Sequence, residues 1–194
     1  MKKFNDYEST KSFSSTPKLP VGAYPIKIQK VRYEEGQNGA SDRIVLKFDI
    51  CEGEYKGFFE NNYNAQTSED KKWKGVFQIY CPKDDGSEKD GWTKSRFKTI
   101  MEDVEASNNG YAWNWDENSL EGKVVGGLFG EINTVIDGKN ITYVAMRQTV
   151  SIPNLKNGNY KIPAPQNKGG ATGSVSASNT FVNIPDGAGE EIPF

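Results

Sequence analysis

The chain has 194 residues, with 24 Lys or Arg against 26 Asp or Glu, a net charge of −2, and 35% apolar residues. That is material for one modest core, not for the whole length. It contains no histidine, which excludes Ser-His-Asp and Cys-His catalysis and His-ligated zinc. Its two cysteines, Cys51 and Cys81, are too few for a Cys-only zinc site and read as buried free thiols in apolar strand-like runs. Gly122-Lys123 is followed by Val124, so no phosphate-cradling loop is indicated. No cofactor is expected. The longest apolar-plus-Gly run, Val124 to Gly130, falls far short of the ~20 residues that span a bilayer. Met1-Lys2-Lys3-Phe4 lacks the apolar stretch of a secretion signal. The expectation is a soluble cytoplasmic protein with no membrane partner.

In chain order, residues 1–18 read as a flexible polar arm. Tyr24, Ile26 and Ile28 alternate with polar positions and predict a first strand. Ile44, Leu46, Phe48 and Ile50 alternate with Arg43, Lys47 and Asp49, a second strand long enough to serve both halves of a bent sheet. Glu52-Gly53-Glu54-Tyr55-Lys56-Gly57 predicts a turn, with Phe58 to Tyr63 as a return strand. Residues 67–92 then read as a long insertion holding one strand-like run, Val76 to Cys81. A helix follows, capped by Asp90 or Thr93, with Phe97, Ile100, Met101 and Val104 as its apolar stripe and Gly110 as its stop. Val124 to Val135 and Ile141 to Val150 are the last two strands, joined by the hairpin dipeptide Asp137-Gly138. Gly126, Gly127 and Gly130 mark where the first of these can bend. From residue 166 the composition turns to Gly, Ser, Ala, Thr and Asn, which cannot bury enough to offset the entropy of ordering. The expected domains are therefore the arm 1–18, a body 19–165, a linker 166–180 and an acidic tail 181–194.

Three strands, an insertion, a helix and a two-strand hairpin match the order of a five-stranded OB-type Greek-key barrel, mostly β, with one α-helix between strands 3 and 4. An open antiparallel sheet on one helix is the alternative.

The body has no overall basic character, so a nucleic-acid site must be a local patch. Residues 67–98 hold eight Lys or Arg against six acids. Lys71, Lys72 and Lys74 flank Trp73, and Trp92 precedes Lys94, Arg96 and Lys98. Interleaved cations and rings suit a groove for single-stranded DNA, where charge tracks the backbone and rings stack on bases. Lys27, Arg43 and Lys47 would line the usual ligand face of the barrel. Tyr111, Trp113 and Trp115 read as a core plug after the helix.

The tail, Asp186-Gly187-Ala188-Gly189-Glu190-Glu191-Ile192-Pro193-Phe194, resembles the acidic tip of bacterial single-stranded DNA-binding proteins. That resemblance implies that Phe194 anchors on replication or recombination partners. Ile192 and Pro193 would shape the approach, and Asp186, Glu190 and Glu191 would steer it to a basic rim. The body lacks the pattern of those bacterial proteins. Leu19-Pro20 with Gly22 and Tyr24, the stretch Glu69 to Gly75, the stretch Asp90 to Lys98, and Leu120 with Gly122, Lys123, Val125 and Gly126 instead resemble a bacteriophage family of single-stranded DNA-binding proteins. This second resemblance implies an OB-type fold and a non-catalytic role in phage replication or recombination. Two other readings stay open: a metal-dependent nuclease using Asp49, Glu52, Glu54 and Lys56, and a protein adaptor that binds no DNA. Self-association is also open.

Overall fold

A computed structural model describes residues 5–9, 17–136 and 139–168. The expected tail residues Asp186, Glu190, Glu191, Ile192, Pro193 and Phe194, most of the linker and the Asp137-Gly138 turn lie outside them. The elements run β1 (Gly22–Glu34), β2 (Arg43–Ile50), α1 (Phe58–Ala65), β3 (Val76–Tyr80), α2 (Glu88–Ser107), a 3-10 turn (Glu117–Leu120), β4 (Val124–Ile136), β5 (Lys139–Val150), α3 (Ile152–Lys156) and β6 (Gln166–Lys168). The protein is mostly β. Its six strands form one sheet in the order β3-β2-β1-β4-β5, with β6 parallel to β4. Along this path the sheet is open: β3 and β5 come close but share no ladder.

The strand that serves both halves is β1, not β2. Its first part, Gly22 to Lys27, pairs with β4, and its later part, Ile26 to Glu34, pairs with β2. Between Ile28 and Lys30 the register with β2 slips by one residue at Gln29, a bulge of the kind that bends a strand and sharpens its twist. Because β1 starts opposite Phe129, the edge of β4 beyond that point is left bare. Gln166–Lys168 fills it against Ile132 to Thr134, with Asn133 Nδ2 donating to Asn167 Oδ1 at 3.0 Å. Three residues expected in the linker are therefore sheet.

Phe58 to Tyr63 is not a return strand but the start of α1. Gly57 stands before it in the left-handed region, at φ 73°, a conformation cheap only for glycine. The decisive group is Asp49. Its buried carboxylate accepts from the backbone N–H groups of Ile50 at 2.8 Å, Phe59 at 2.9 Å and Glu60 at 3.0 Å. It thus caps α1 from outside the helix. α1 then places Phe59 in the core, edge-on to Phe48 at 5.3 Å between ring centres. The strand that pairs with β2 is consequently Val76–Tyr80.

Phe97, Ile100, Met101 and Val104 of α2 are all buried, as their spacing predicts. The cap, however, is Ser87, whose hydroxyl accepts from the N–H of Asp90. Asp90 instead accepts from the N–H groups of Lys83 and Asp84 at 2.8 and 3.1 Å. The helix ends before Gly110, at Asn108, whose side chain donates to the carbonyls of Val104 and Val124 and accepts from the Val124 N–H. Gly126 and Gly130 serve close packing: a Cβ there would press on Val150 and Leu155, or on Pro163 and Arg147. No helix among the described residues is long and apolar enough to cross a membrane.

Replacing Asp49 with Ala strands three N–H groups, two of them in α1. The expected loss in chemical denaturation is about 2–3 kcal/mol, from removing a charged acceptor of buried donors. A loss below ~0.5 kcal/mol would show that α1 is held by its aromatic packing alone.

Candidate nucleic-acid interface

The bulge at Gln29 decides which β1 side chains share a face with β2. In β2, Arg43, Val45, Lys47 and Asp49 lie on the opposite face from the core residues Ile44, Leu46, Phe48 and Ile50; of the four, Arg43 and Lys47 are partly exposed while Val45 and Asp49 are buried. Across the ladder Lys27 faces Asp49, then Lys30 faces Lys47, Arg32 faces Val45 and Glu34 faces Arg43. Simple alternation from Lys27 would have put Gln29, Val31 and Tyr33 outward. The extra residue turns Lys30 and Arg32 out instead, and Val31 packs against the core. These two cations were missed because the bulge leaves no signal in hydrophobic spacing.

The outward face of β1 and β2 therefore carries Lys27, Lys30, Arg32, Arg43 and Lys47. Glu34 and Glu121 meet three of them. Glu34 takes both Arg32 and Arg43, the latter at 2.5 Å. Burial raises its pKa, but the two guanidinium hydrogen bonds outweigh that and hold it below its ordinary value. Glu121 meets Lys30 at 3.5 Å and also accepts from the Val31 N–H at 3.1 Å. Among the described residues, Lys27 and Lys47 have no ion pair. Like charges set directly opposite on a sheet are destabilising, and Lys30 with Lys47 is such a pair.

Trp73 lies beside this pair. Lys47 Nζ sits 4.2 Å from the centre of its ring, and the indole N–H donates to the Phe48 carbonyl at 3.2 Å. Tyr63 of α1 lies 5.8 Å from it, ring centre to ring centre. Gln66 clasps the loop by exchanging hydrogen bonds with the backbone of Lys72, both at 2.8 Å. Trp73 is half-buried and borders the core, while Lys71, Lys72 and Lys74 around it are exposed. Lys72 pairs with Asp70 at 3.7 Å, and Lys71 lies 5.8 Å from the Tyr63 ring. The structure thus joins Lys71 to Lys74 with Lys47 in one neighbourhood.

Trp92, Lys94, Arg96 and Lys98 belong elsewhere. They sit on α2, which packs on β3, β4, β5 and α3. Lys94 pairs with Asp84 and, at 3.0 Å, with Asp90; Lys98 pairs with Glu102 at 3.6 Å. Trp92 is exposed, and Arg96 donates to the carbonyl of Arg147 at 2.6 Å. The single predicted cluster is therefore two separate groups.

Of the expected plug, Tyr111 and Trp113 do pack on the core, but Trp115 does not. It is 80% exposed, takes a positive φ of 66° and lies parallel to Phe97 at 6.2 Å. In the acidic turn, Asp49 is already engaged by three N–H groups, while Glu52, Glu54 and Lys56 are exposed. Cys51 and Cys81 are free and half-buried, and burial pushes both thiols up. A groove of 730 Å³ lies beside the Trp73 cluster, between the start of β1, α1 and β5, lined by residues including Leu19, Val21, Phe58, Tyr143 and Lys18, with Lys74 shared between the two.

Replacing Lys47 with Met keeps an aliphatic stem on Trp73 and removes one of two opposed charges. Thermal or denaturant unfolding should show stability unchanged or raised by about 0.2–1 kcal/mol. A clear loss would mean that the contact with the Trp73 ring outweighs the repulsion. No protein-family model matches this chain, and no curated protein matches it, so the functional reading rests on the residues of this face.

Proposed function

We propose that the body is a non-catalytic, sequence-tolerant single-stranded DNA-binding domain of OB type, working in phage replication or recombination. The observation that carries this reading is the opposed Lys30–Lys47 pair, with Lys30 exposed and the half-buried Lys47 over the Trp73 ring. Glu121 meets Lys30, whereas Lys47 has no carboxylate among the described residues, and a phosphodiester would supply an anion there. The neighbouring ring offers a stacking surface for an unpaired base, worth about 1–3 kcal/mol per base, which a duplex keeps hidden. The sheet order β3-β2-β1-β4-β5 supports the OB reading, because closing β3 onto β5 would give that barrel. The acidic Ile-Pro-Phe tail, outside the described residues, is proposed to recruit replication or recombination proteins through Phe194.

The test is a titration of labelled oligo-dT beside a duplex of equal length. The single strand should bind more tightly, and its affinity should fall with salt. Replacing Lys30 and Lys47 together with Gln should flatten the log–log salt slope by about 1.4, two phosphates at ~0.7 each, without loss of folding. Trp73→Phe keeps a ring and gives up only the indole hydrogen bond, so it should retain most of the binding that Trp73→Ala loses. Equal affinity for duplex and single strand would overturn the reading, as would no binding at all. The latter result would leave the adaptor.

A further inference from the structure

β5 carries a second bulge. Phe129 pairs with Met146 and Leu128 with Gln148, so Arg147 is the unmatched residue. A bulge re-aims a side chain, and here Gly130 makes room for the result. A Cβ on Gly130 would lie 3.3 Å from Arg147 Cδ and 3.0 Å from the Pro163 carbonyl. Arg147 crosses this space and donates to the carbonyl of Ala164. From the helix side, Arg96 donates to the carbonyl of Arg147 itself. Each guanidinium thus rests on a backbone carbonyl, Arg96 on that of Arg147 and Arg147 on that of Ala164. Among the described residues neither has a carboxylate partner. Asp103, two turns further along the same face of α2, is engaged by Thr149 at 2.6 Å.

Partial burial holds Arg147 below its ordinary value, and desolvation together with repulsion from Arg147 does the same to Arg96. Each guanidinium has five donors and uses few of them here. Charge-assisted forks of this kind match phosphate oxygens.

Arg43 and Tyr80 are opposite each other in the β2–β3 ladder, and β3 comes close to β5, which carries Arg147. Lys47 to Arg43 is about 13 Å along β2 at ~3.3 Å per residue. The row Lys47, Arg43 and Tyr80 thus leads from the Lys30–Lys47 face toward the open edge between β3 and β5, with Glu34 drawing on Arg43 on the way.

We propose that Arg96 and Arg147 form a distal phosphodiester subsite, which holds the backbone of a single strand after it has crossed the Lys30–Lys47 face. This rests on the single-strand reading and adds a direction and a minimum length to it. The experiment measures binding of an oligo-dT length series to the full chain and to Arg96→Gln, Arg147→Gln and Arg147→Lys variants. Gln keeps a donor for each carbonyl, so unfolding temperature is recorded in parallel.

Short oligonucleotides should bind all forms alike. Long ones should bind either Gln variant about tenfold more weakly, with a salt slope flatter by ~0.7, and Arg147→Lys should recover that slope. Equal losses at every length, or losses that follow the unfolding temperature, would make the pair a strap for the bulge and overturn the subsite. Protection of Arg96 and Arg147 from an arginine-directed dicarbonyl reagent by inorganic phosphate, but not by long oligo-dT, would make it a free-anion site and also overturn it. If Lys30→Gln with Lys47→Gln weakens every length while the arginine variants weaken none, the face stands and the subsite falls. If no form binds any length, the face reading falls as well.

Discussion

Both proposed sites depend on where this sheet departs from regular alternation. β1 serves two partners, and it can do so only by bending. The bend is made at Gln29, where one extra residue lets the strand leave β4 and continue along β2. The same residue turns Lys30 and Arg32 outward and Val31 inward. A single backbone irregularity thus closes the core on one side and concentrates positive charge on the other. The bulge at Arg147 repeats the device on β5.

The packing beneath this face is rigid where the face needs support. Phe48, Phe59 and Phe129 meet in edge-on and stacked contacts with ring centres 5.3 to 6.3 Å apart. Asp49 fixes α1 on the end of β2, and α1 with Gln66 carries the loop that presents Trp73. The indole of Trp73 then donates to Phe48 in β2 itself. The aromatic surface and the cations beside it are therefore held by the same strand. Such pre-positioning reduces the ordering cost of binding. The opposed lysines of the ladder are met by Glu121 on the side of Lys30 and by the Trp73 ring on the side of Lys47.

Much of this was legible in the sequence. The alternation of Ile44 to Ile50 and the stripe Phe97, Ile100, Met101 and Val104 predict a buried strand face and a buried helix face, and both are buried. The β4–β5 pairing follows from the hairpin dipeptide between them. What the sequence hid has definite causes. Phe58 to Tyr63 reads equally as strand or helix, and it is a helix because a carboxylate nine residues upstream of Phe58 caps it. Lys30 and Arg32 were concealed by a bulge with no apolar signature. Trp115 looked like core because it is aromatic, yet its positive φ turns it out onto Phe97. Arg147 was missed because its role depends on Gly130 and on Arg96, far away in the chain.

The account's central claim is that the β1–β2 face with Trp73 receives single-stranded DNA. Amide and indole chemical-shift mapping of the full chain with oligo-dT tests this most directly. The account predicts that the largest shifts fall on Lys30, Lys47, the 71–74 loop and the Trp73 indole N–H. Shifts confined to the groove of Leu19, Val21, Phe58 and Tyr143, or to the exposed Trp115, with this face unmoved, would contradict it.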